Sequence, residues 1–319
     1  MLKQLKAAFI LILSRSEEGV RGLHPRTGVG AVAPTYPIGE NMINLILAIA
    51  SSMLVSVCMR LSEGKAKNNI SMLATNYAMC TLLAVAFAGS IDLFPKAEGL
   101  GFALLLGLVS GAMYLGSFML LQWNIRVNGV VLPATFMKLG VIVPTLTSIF
   151  AFGEMPRAVQ IVGIVLAIFA ILLIQLEKGG ARAKNALGLV ILLIAGGSTD
   201  VLSKIYEEMG NSALSDQYLL YTFFVALVLC TLLAAAKKQK LTIPDVAFGL
   251  LVGVPNYFSA RLLLLSLSSV PAVIAYPTYS VGTIVLIALV GRAVFDERLS
   301  RRQLIAMGVI LAALVLLNM

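Results

Sequence analysis

Four ionisable side chains stand where charge is expensive. Lys138 closes the stretch Pro133-Ala134-Thr135-Phe136-Met137-Lys138, Asp200 and Lys204 lie four residues apart, and Arg261 follows Asn256 and Ser259, all inside apolar runs. Within a bilayer such a group is costly, and by default it marks a solute or ion site. Lys138 offers a cation to an anionic solute group; the plain alternative is a snorkelling lysine, or one paired with Asp200. The spacing of four puts Asp200 and Lys204 on one helix face, able to pair. Asp200 is therefore either a carboxylate linked to a proton or solute, or half of a structural pair. Gly196-Gly197-Ser198 precede it and let another backbone or a solute come close. Tyr276 and Tyr279 are three apart and share a face, so with Asn256 and Arg261 they offer aromatic and polar surface to a cavity. Core packing is the competing role for the two rings. The candidate binding residues are Lys138, Asp200, Lys204, Arg261, Tyr276, Tyr279 and Asn256.

Other chemistries fail on composition. His24 is the only histidine, which leaves no His-based metal site and no His general base. Cys58, Cys80 and Cys230 are far apart, odd in number and inside apolar runs, so they give neither a disulfide framework nor metal spacing. A Walker-type phosphate loop is absent. Intramembrane aspartyl chemistry needs two carboxylates at membrane depth, and only Asp200 qualifies. An enzyme, a cofactor and a metal are accordingly not expected. The net charge of +9 lies between apolar runs, as in cytoplasmic loops, and not in a patch suited to nucleic acid.

The elements that must position these groups follow from bulk composition. Of 319 residues, 59% are apolar and only 12% charged. Soluble domains run nearer half and a quarter, and so few charges would leave large apolar patches facing water. The expected class is an all-α polytopic protein of the cell membrane, because lipid forces each spanning run to satisfy its own backbone. Ten runs approach the length needed to cross a bilayer: Ile43–Met59, Ile70–Ala88, Leu100–Gln122, Val130–Phe152, Val159–Leu176, Leu187–Tyr206, Tyr218–Ala236, Val246–Ser266, Val270–Val290 and Leu304–Leu317. Their linkers are short and polar. Residues 1–41 read as a poorly ordered extension, with no cleavage site of the signal-peptide kind after Leu5–Leu13.

The chain also repeats itself. Tyr114–Ala170 lies over Tyr257–Ala313 without a gap, and the informative matches are not aliphatic: Tyr114 with Tyr257, Thr135 with Thr278, Phe152 with Phe295, Glu154 with Glu297, Gln160 with Gln303. One further residue of offset sets Arg60 on Lys204 and Glu63 on Glu207. The unit is five spans, 42–176 and 186–319. An odd number of spans forces two copies into opposite orientations, an inverted repeat. Glu154 and Glu297 stand at the turns before the fifth and tenth spans, where a carboxylate near a helix N-terminus has a structural role.

Phe152-Gly153-Glu154 before Gln160-Ile161-Val162-Gly163, Phe295-Asp296-Glu297-Arg298-Leu299-Ser300 before Gln303, and Gly253-Val254-Pro255-Asn256-Tyr257-Phe258-Ser259 together resemble the drug/metabolite transporter superfamily, in its ten-helix EamA-like branch. The resemblance covers about 42–318; Ala306 stands where the second glycine of the pattern falls. It implies a secondary transporter of a small metabolite or drug-like solute. With the inverted repeat it leads to alternating access around a midplane site. A channel or scaffold is the competing class. The partners expected are the solute, the bilayer and, as a coupling ion, protons, for a monomer or homodimer. Lys and Arg are richest after odd-numbered spans, which places those loops in the cytoplasm; the basic tail pulls the other way and leaves the orientation open.

Overall fold

The computed structural model describes residues 38–88, 93–128, 131–175, 184–295 and 301–319. No strand occurs among them. The helices are α1 (Ile38–Ser62), α2 (Asn69–Phe87), α3 (Leu100–Asn128), α4 (Val131–Leu139), α5 (Ile142–Phe152), α6 (Ala158–Gln175), α7 (Ala186–Met209), α8 (Ser215–Ala236), α9 (Ile243–Leu267), α10 (Ala272–Val294) and α11 (Arg301–Leu317), with a 3-10 turn at Ser212–Leu214 before α8. Seven of them, α1, α2, α3 and α7 to α10, are long and apolar enough to cross a bilayer. Three shorter apolar helical runs, Phe136–Phe152, Ala158–Leu173 and Leu304–Leu317, stand where the fourth, fifth and tenth spans are expected. The protein is an all-helical, multi-pass membrane protein. Most of the 1–41 extension, and Glu297, lie outside the described residues.

One expectation needs correction. The run Val130–Phe152 is not a single helix but two, α4 and α5, broken at Gly140-Val141. Pro144 explains the break: it has no N–H to give to the Gly140 carbonyl four residues back, and its ring crowds that oxygen. The Gly140 carbonyl accepts instead from Val143 N at 3.0 Å, and it lies so close to Gly197 of α7 that a Cβ on Gly197 would collide with it. A Cβ on Gly140 would in turn lie 3.0 Å from the Gly197 N. Only glycine at both positions permits this approach. Pro255 and Pro277, by contrast, sit inside α9 and α10 without ending them.

Contacts between chain-distant residues define two ends of the bundle. At one end Asn185 N donates to Asn128 Oδ1 at 2.9 Å. There too Asp245 accepts from the backbone of Lys67 at 2.7 Å and of Asn68 at 3.1 Å. At the other end Asn211 Nδ2 donates to the Glu98 carbonyl at 2.9 Å, and Arg157 to the Met319 carbonyl at 2.9 Å. Local signals fix the helix starts. Asn185 caps α7 by accepting from Gly188 N at 2.9 Å, and Thr242 with Asp245 forms a capping box at α9. Gly153 ends α5 in the left-handed region (φ 68°), which a residue with a Cβ adopts only with strain.

Packing runs mainly between the first half of the chain and the second. α9 lies against α1 and α2, α8 against α2 and α3, α7 against α3, α4 and α5, α10 against α1 and α5, and α6 against α11. The core concentrates on α8 to α10. Tyr218, Phe223, Tyr257, Phe258, Leu262 and Tyr276 are all at most 1% exposed. Tyr206 stacks on Tyr218 with centroids 4.3 Å apart. These three helices therefore hold the most deeply buried side chains of the bundle, and the site is built beside them.

Candidate functional site

A cavity of about 80 Å³ lies in this centre. α7 contributes Asp200 and Ser203, α3 contributes Tyr114, α8 Tyr218 and Thr222, α9 Asn256 and Ser259, and α10 Tyr279. Spacing explains the wall. Asp200 and Ser203 are three apart on α7, and Asn256 and Ser259 three apart on α9, so each pair shares a helix face.

The Tyr218 and Tyr279 hydroxyl groups at the cavity are tied to neighbouring side chains. Tyr218 shares a hydrogen bond with Ser110 at 3.0 Å and approaches Ser203 at 3.4 Å. Tyr279 pairs with Ser259 at 2.7 Å. Asn256 Nδ2 donates to Asn76 Oδ1 at 3.3 Å. The Asp200 carboxylate is different. Its backbone carbonyl accepts from Tyr276 Oη at 2.6 Å, but no described side chain donates to the carboxylate itself. It is half-buried and faces the cavity. A carboxylate in an apolar bundle, with no side-chain donor among the described residues, can accept a cationic group or a proton. Three tyrosines, Tyr114, Tyr218 and Tyr279, line the same cavity.

Lys204 does not pair with Asp200, although the two share a helix face. Its ammonium is instead held by Glu154 Oε1 at 2.9 Å, Glu207 Oε2 at 2.9 Å and Glu208 Oε1 at 2.6 Å, with the lysine side chain 3% exposed. Two carboxylates one turn further along α7, and a third from a distant turn, outcompete the one behind it. Glu154 stands at the turn before α6, as expected, yet the helix it caps is another one: its Oε2 accepts from Val273 N at 2.8 Å, at the start of α10. Arg261 also lies apart from the cavity. Its Nε and Nη2 grip Asp216 at 2.7 and 3.1 Å, and the guanidinium stacks 5.1 Å from the Phe87 centroid.

Of the remaining candidates, Tyr279 and Asn256 line the cavity, and Tyr276 backs it through the Asp200 carbonyl. Lys138 is exposed on α4, makes no ion pair with a described residue and does not line the cavity. Sequence reasoning missed Tyr114, Ser203, Tyr218 and Ser259. The repeat had picked out Tyr114, and the i+3 spacing from Asp200 and Asn256 pointed to the two serines. Tyr218 carried no such signal. The described residues hold no group of three acidic, His or Cys side chains arranged for a metal ion.

With this geometry in hand, residues 217–310 match the family model described as Small Multidrug Resistance protein. The matched stretch runs from the start of α8 into α11 and so includes the cavity-lining residues Tyr218, Thr222, Asn256, Ser259 and Tyr279. No curated protein matches the chain. A solved structure titled "Crystal structure of protein" aligns over 86% of this chain and 95% of its own, with a TM-score of 0.63 and 14% identity. At that identity the likeness is one of fold. The protein is thus a multi-pass membrane protein whose C-terminal stretch is similar to a family of drug transporters.

Proposed function

We propose that this protein is a secondary transporter that carries a small solute bearing positive charge across the membrane by alternating access, with Asp200 as the residue that receives the charge. The observation that carries the reading is the Asp200 carboxylate, open to a cavity between the two halves of the chain and without a side-chain donor among the described residues. Tyr114, Tyr218 and Tyr279 would flank the cation, and Ser203, Ser259 and Asn256 would orient its polar groups. Protons are the natural competitor for the same carboxylate.

The architecture supports alternating access. Shifting every element by five spans maps the α9–α2 packing onto α8–α3, α9–α1 onto α7–α3, and α10–α1 onto α7 with α4 and α5. The α2–α8 and α6–α11 contacts map onto themselves. Two oppositely inserted five-helix units, 42–176 and 186–319, give this pattern, and a site between such units is the usual place for solute. The broken fourth span and the prolines in α9 and α10 supply points where one unit can flex against the other. The reading is of the EamA-like kind that the sequence resembles. Nothing in the geometry favours a channel, since the cavity lining is not a ring of like residues.

The test is ligand-induced stabilisation of the full-length protein in detergent. Monovalent aromatic ammonium compounds should raise the unfolding temperature, and their neutral isosteres should not. A ligand at a hundred times its dissociation constant adds about 2.7 kcal/mol. Equal shifts from the neutral series, or shifts unchanged in Asp200→Asn, would refute the assignment.

A further inference from the structure

The cavity is too small as it stands for the solute it is built to meet. Sites for small organic ligands run to roughly 300–1,000 Å³, against about 80 Å³ here. One mouth must therefore open and the other stay shut, and the two ends of the bundle differ. Between the ends of α1 and α10, beside Arg60, Glu63 and Gly291, lies a cleft of about 420 Å³. The opposite end is sealed next to the cavity by Tyr276, 1% exposed, and by the Lys204 cluster, which begins one helical turn beyond Asp200.

We infer that the buried contact joining Glu154 to Lys204 and to the Val273 N–H is the latch that keeps this mouth shut, and that it breaks and re-forms in each transport cycle. The inference rests on the transporter reading above. Three observations carry it. The latch ties the two halves together: Glu154 belongs to the first, Lys204 and Val273 to the second. It sits beside the cavity, since Asp200, which lines it, lies one turn before Lys204 on the same helix face. And it is built to be released. Lys204 has two further partners on its own helix, Glu207 at i+3 and Glu208 at i+4. When Glu154 leaves, the ammonium keeps two charge-assisted bonds and is never stranded as a bare buried cation, the situation that makes ordinary buried ion pairs so costly to break. The Arg261–Asp216 pair shows the contrast: both residues lie in the second half and the arginine has no other carboxylate within reach among the described residues. That pair is a bolt, and the Glu154 contact is a catch.

The experiment reads the mouth directly. Ser203→Cys reports from the cavity wall, and a membrane-impermeant thiol reagent is added to one side of proteoliposomes holding the full-length chain. A separate Ser212→Cys protein, with its cysteine on the exposed turn at the Lys204 end, gives the fraction of molecules facing each way. The native thiols Cys58, Cys80 and Cys230 are at most 6% exposed, and the protein without the added cysteine sets the background. Glu154→Gln removes the charge but keeps an oxygen for Val273 N–H, and Lys204→Gln removes the cation. In either variant the Ser203→Cys thiol should react from the Lys204 end roughly tenfold faster than in the parent, the change in open fraction that about 1.4 kcal/mol produces. Equal rates from that end in parent and variants overturn the latch while leaving the transporter reading intact, provided the cavity thiol still reacts from the Arg60 end. A cavity thiol that reacts from neither end in any of the proteins overturns both. Loss of the folded state in Glu154→Gln also counts against the latch, because a catch must be releasable without unfolding.

Discussion

Removing the Asp216 carboxylate should destabilise the protein more than any other single charge change outside the cavity. Arg261 is 2% exposed in the middle of the most buried helix, and both of its bonds, at 2.7 and 3.1 Å, go to Asp216. Its remaining amino group, Nη1, is buried without an acceptor. In Asp216→Asn the guanidinium keeps a dipole as partner but loses the neutralising charge. Stranding a buried charge costs about 3–5 kcal/mol. Asp216 is 22% exposed, so water reaches that side, and the lower limit, about 3 kcal/mol, is the expected loss. The assay is equilibrium unfolding in mild detergent, followed by tryptophan emission and by circular dichroism. The double replacement Asp216→Leu with Arg261→Met should regain most of the loss, since swapping a buried pair for apolar side chains of similar volume is often near neutral. An Asp216→Asn protein within about 0.5 kcal/mol of the parent, the ordinary range for surface changes, would refute the reasoning and return Arg261 to the list of solute-binding groups.

Three further outcomes follow from the packing. Gly253→Ala places a Cβ 2.6 Å from both the Asn76 carbonyl oxygen and Met79 Cβ, so α2 and α9 must separate; the expected cost is about 1–3 kcal/mol of stability in the same unfolding assay. Asn124→Leu deletes bonds of 3.0 Å to the Leu120 and Gly188 carbonyls and the acceptor of Asn128 Nδ2 at 3.1 Å; a loss of about 1–3 kcal/mol, with transport retained per folded molecule, is expected. Tyr276→Phe removes only the 2.6 Å bond to the Asp200 carbonyl; it should lower stability by about 1 kcal/mol and leave the charge selectivity of binding unchanged, as titration with charged and neutral probes will show.

Much of the scaffold is legible in the sequence because lipid makes the rule simple: an apolar run must be a helix. The ten runs recur in the expected order as seven full-length helices and three shorter apolar stretches, the first of which is divided into α4 and α5. Pro133 and Pro144 mark an interruption of the fourth run, but that it divides the run into two helices at Gly140 is not visible in hydropathy, since an apolar run looks continuous whether or not its backbone bonds are. The residue that causes it, Pro144, lies four positions on, where the rule for proline points back to Gly140. The site divides in the same way. That Asp200 belongs to a cavity follows from its type and depth. Its independence from Lys204 does not, because the spacing of four is satisfied equally by Glu208, and a lysine chooses among all carboxylates in reach. Glu154 reaches Lys204 across 50 residues of chain, and Asp216 reaches Arg261 across 45. Contacts of that kind are set by how helices pack, which no local spacing rule encodes. Tyr279 was legible as a cavity candidate, but its grouping with Tyr114 and Tyr218 was not, because the three come from three helices and only assembly brings them to one place.

The central claim is that a lone carboxylate at position 200 reads the charge of the transported solute. Its most direct test is counterflow of a labelled monovalent aromatic ammonium compound into proteoliposomes, comparing the parent with Asp200→Asn and Asp200→Glu at equal folded content. Asn should abolish uptake, and Glu, which keeps the charge, should restore a measurable part of it. Undiminished uptake in the Asn variant would contradict the account.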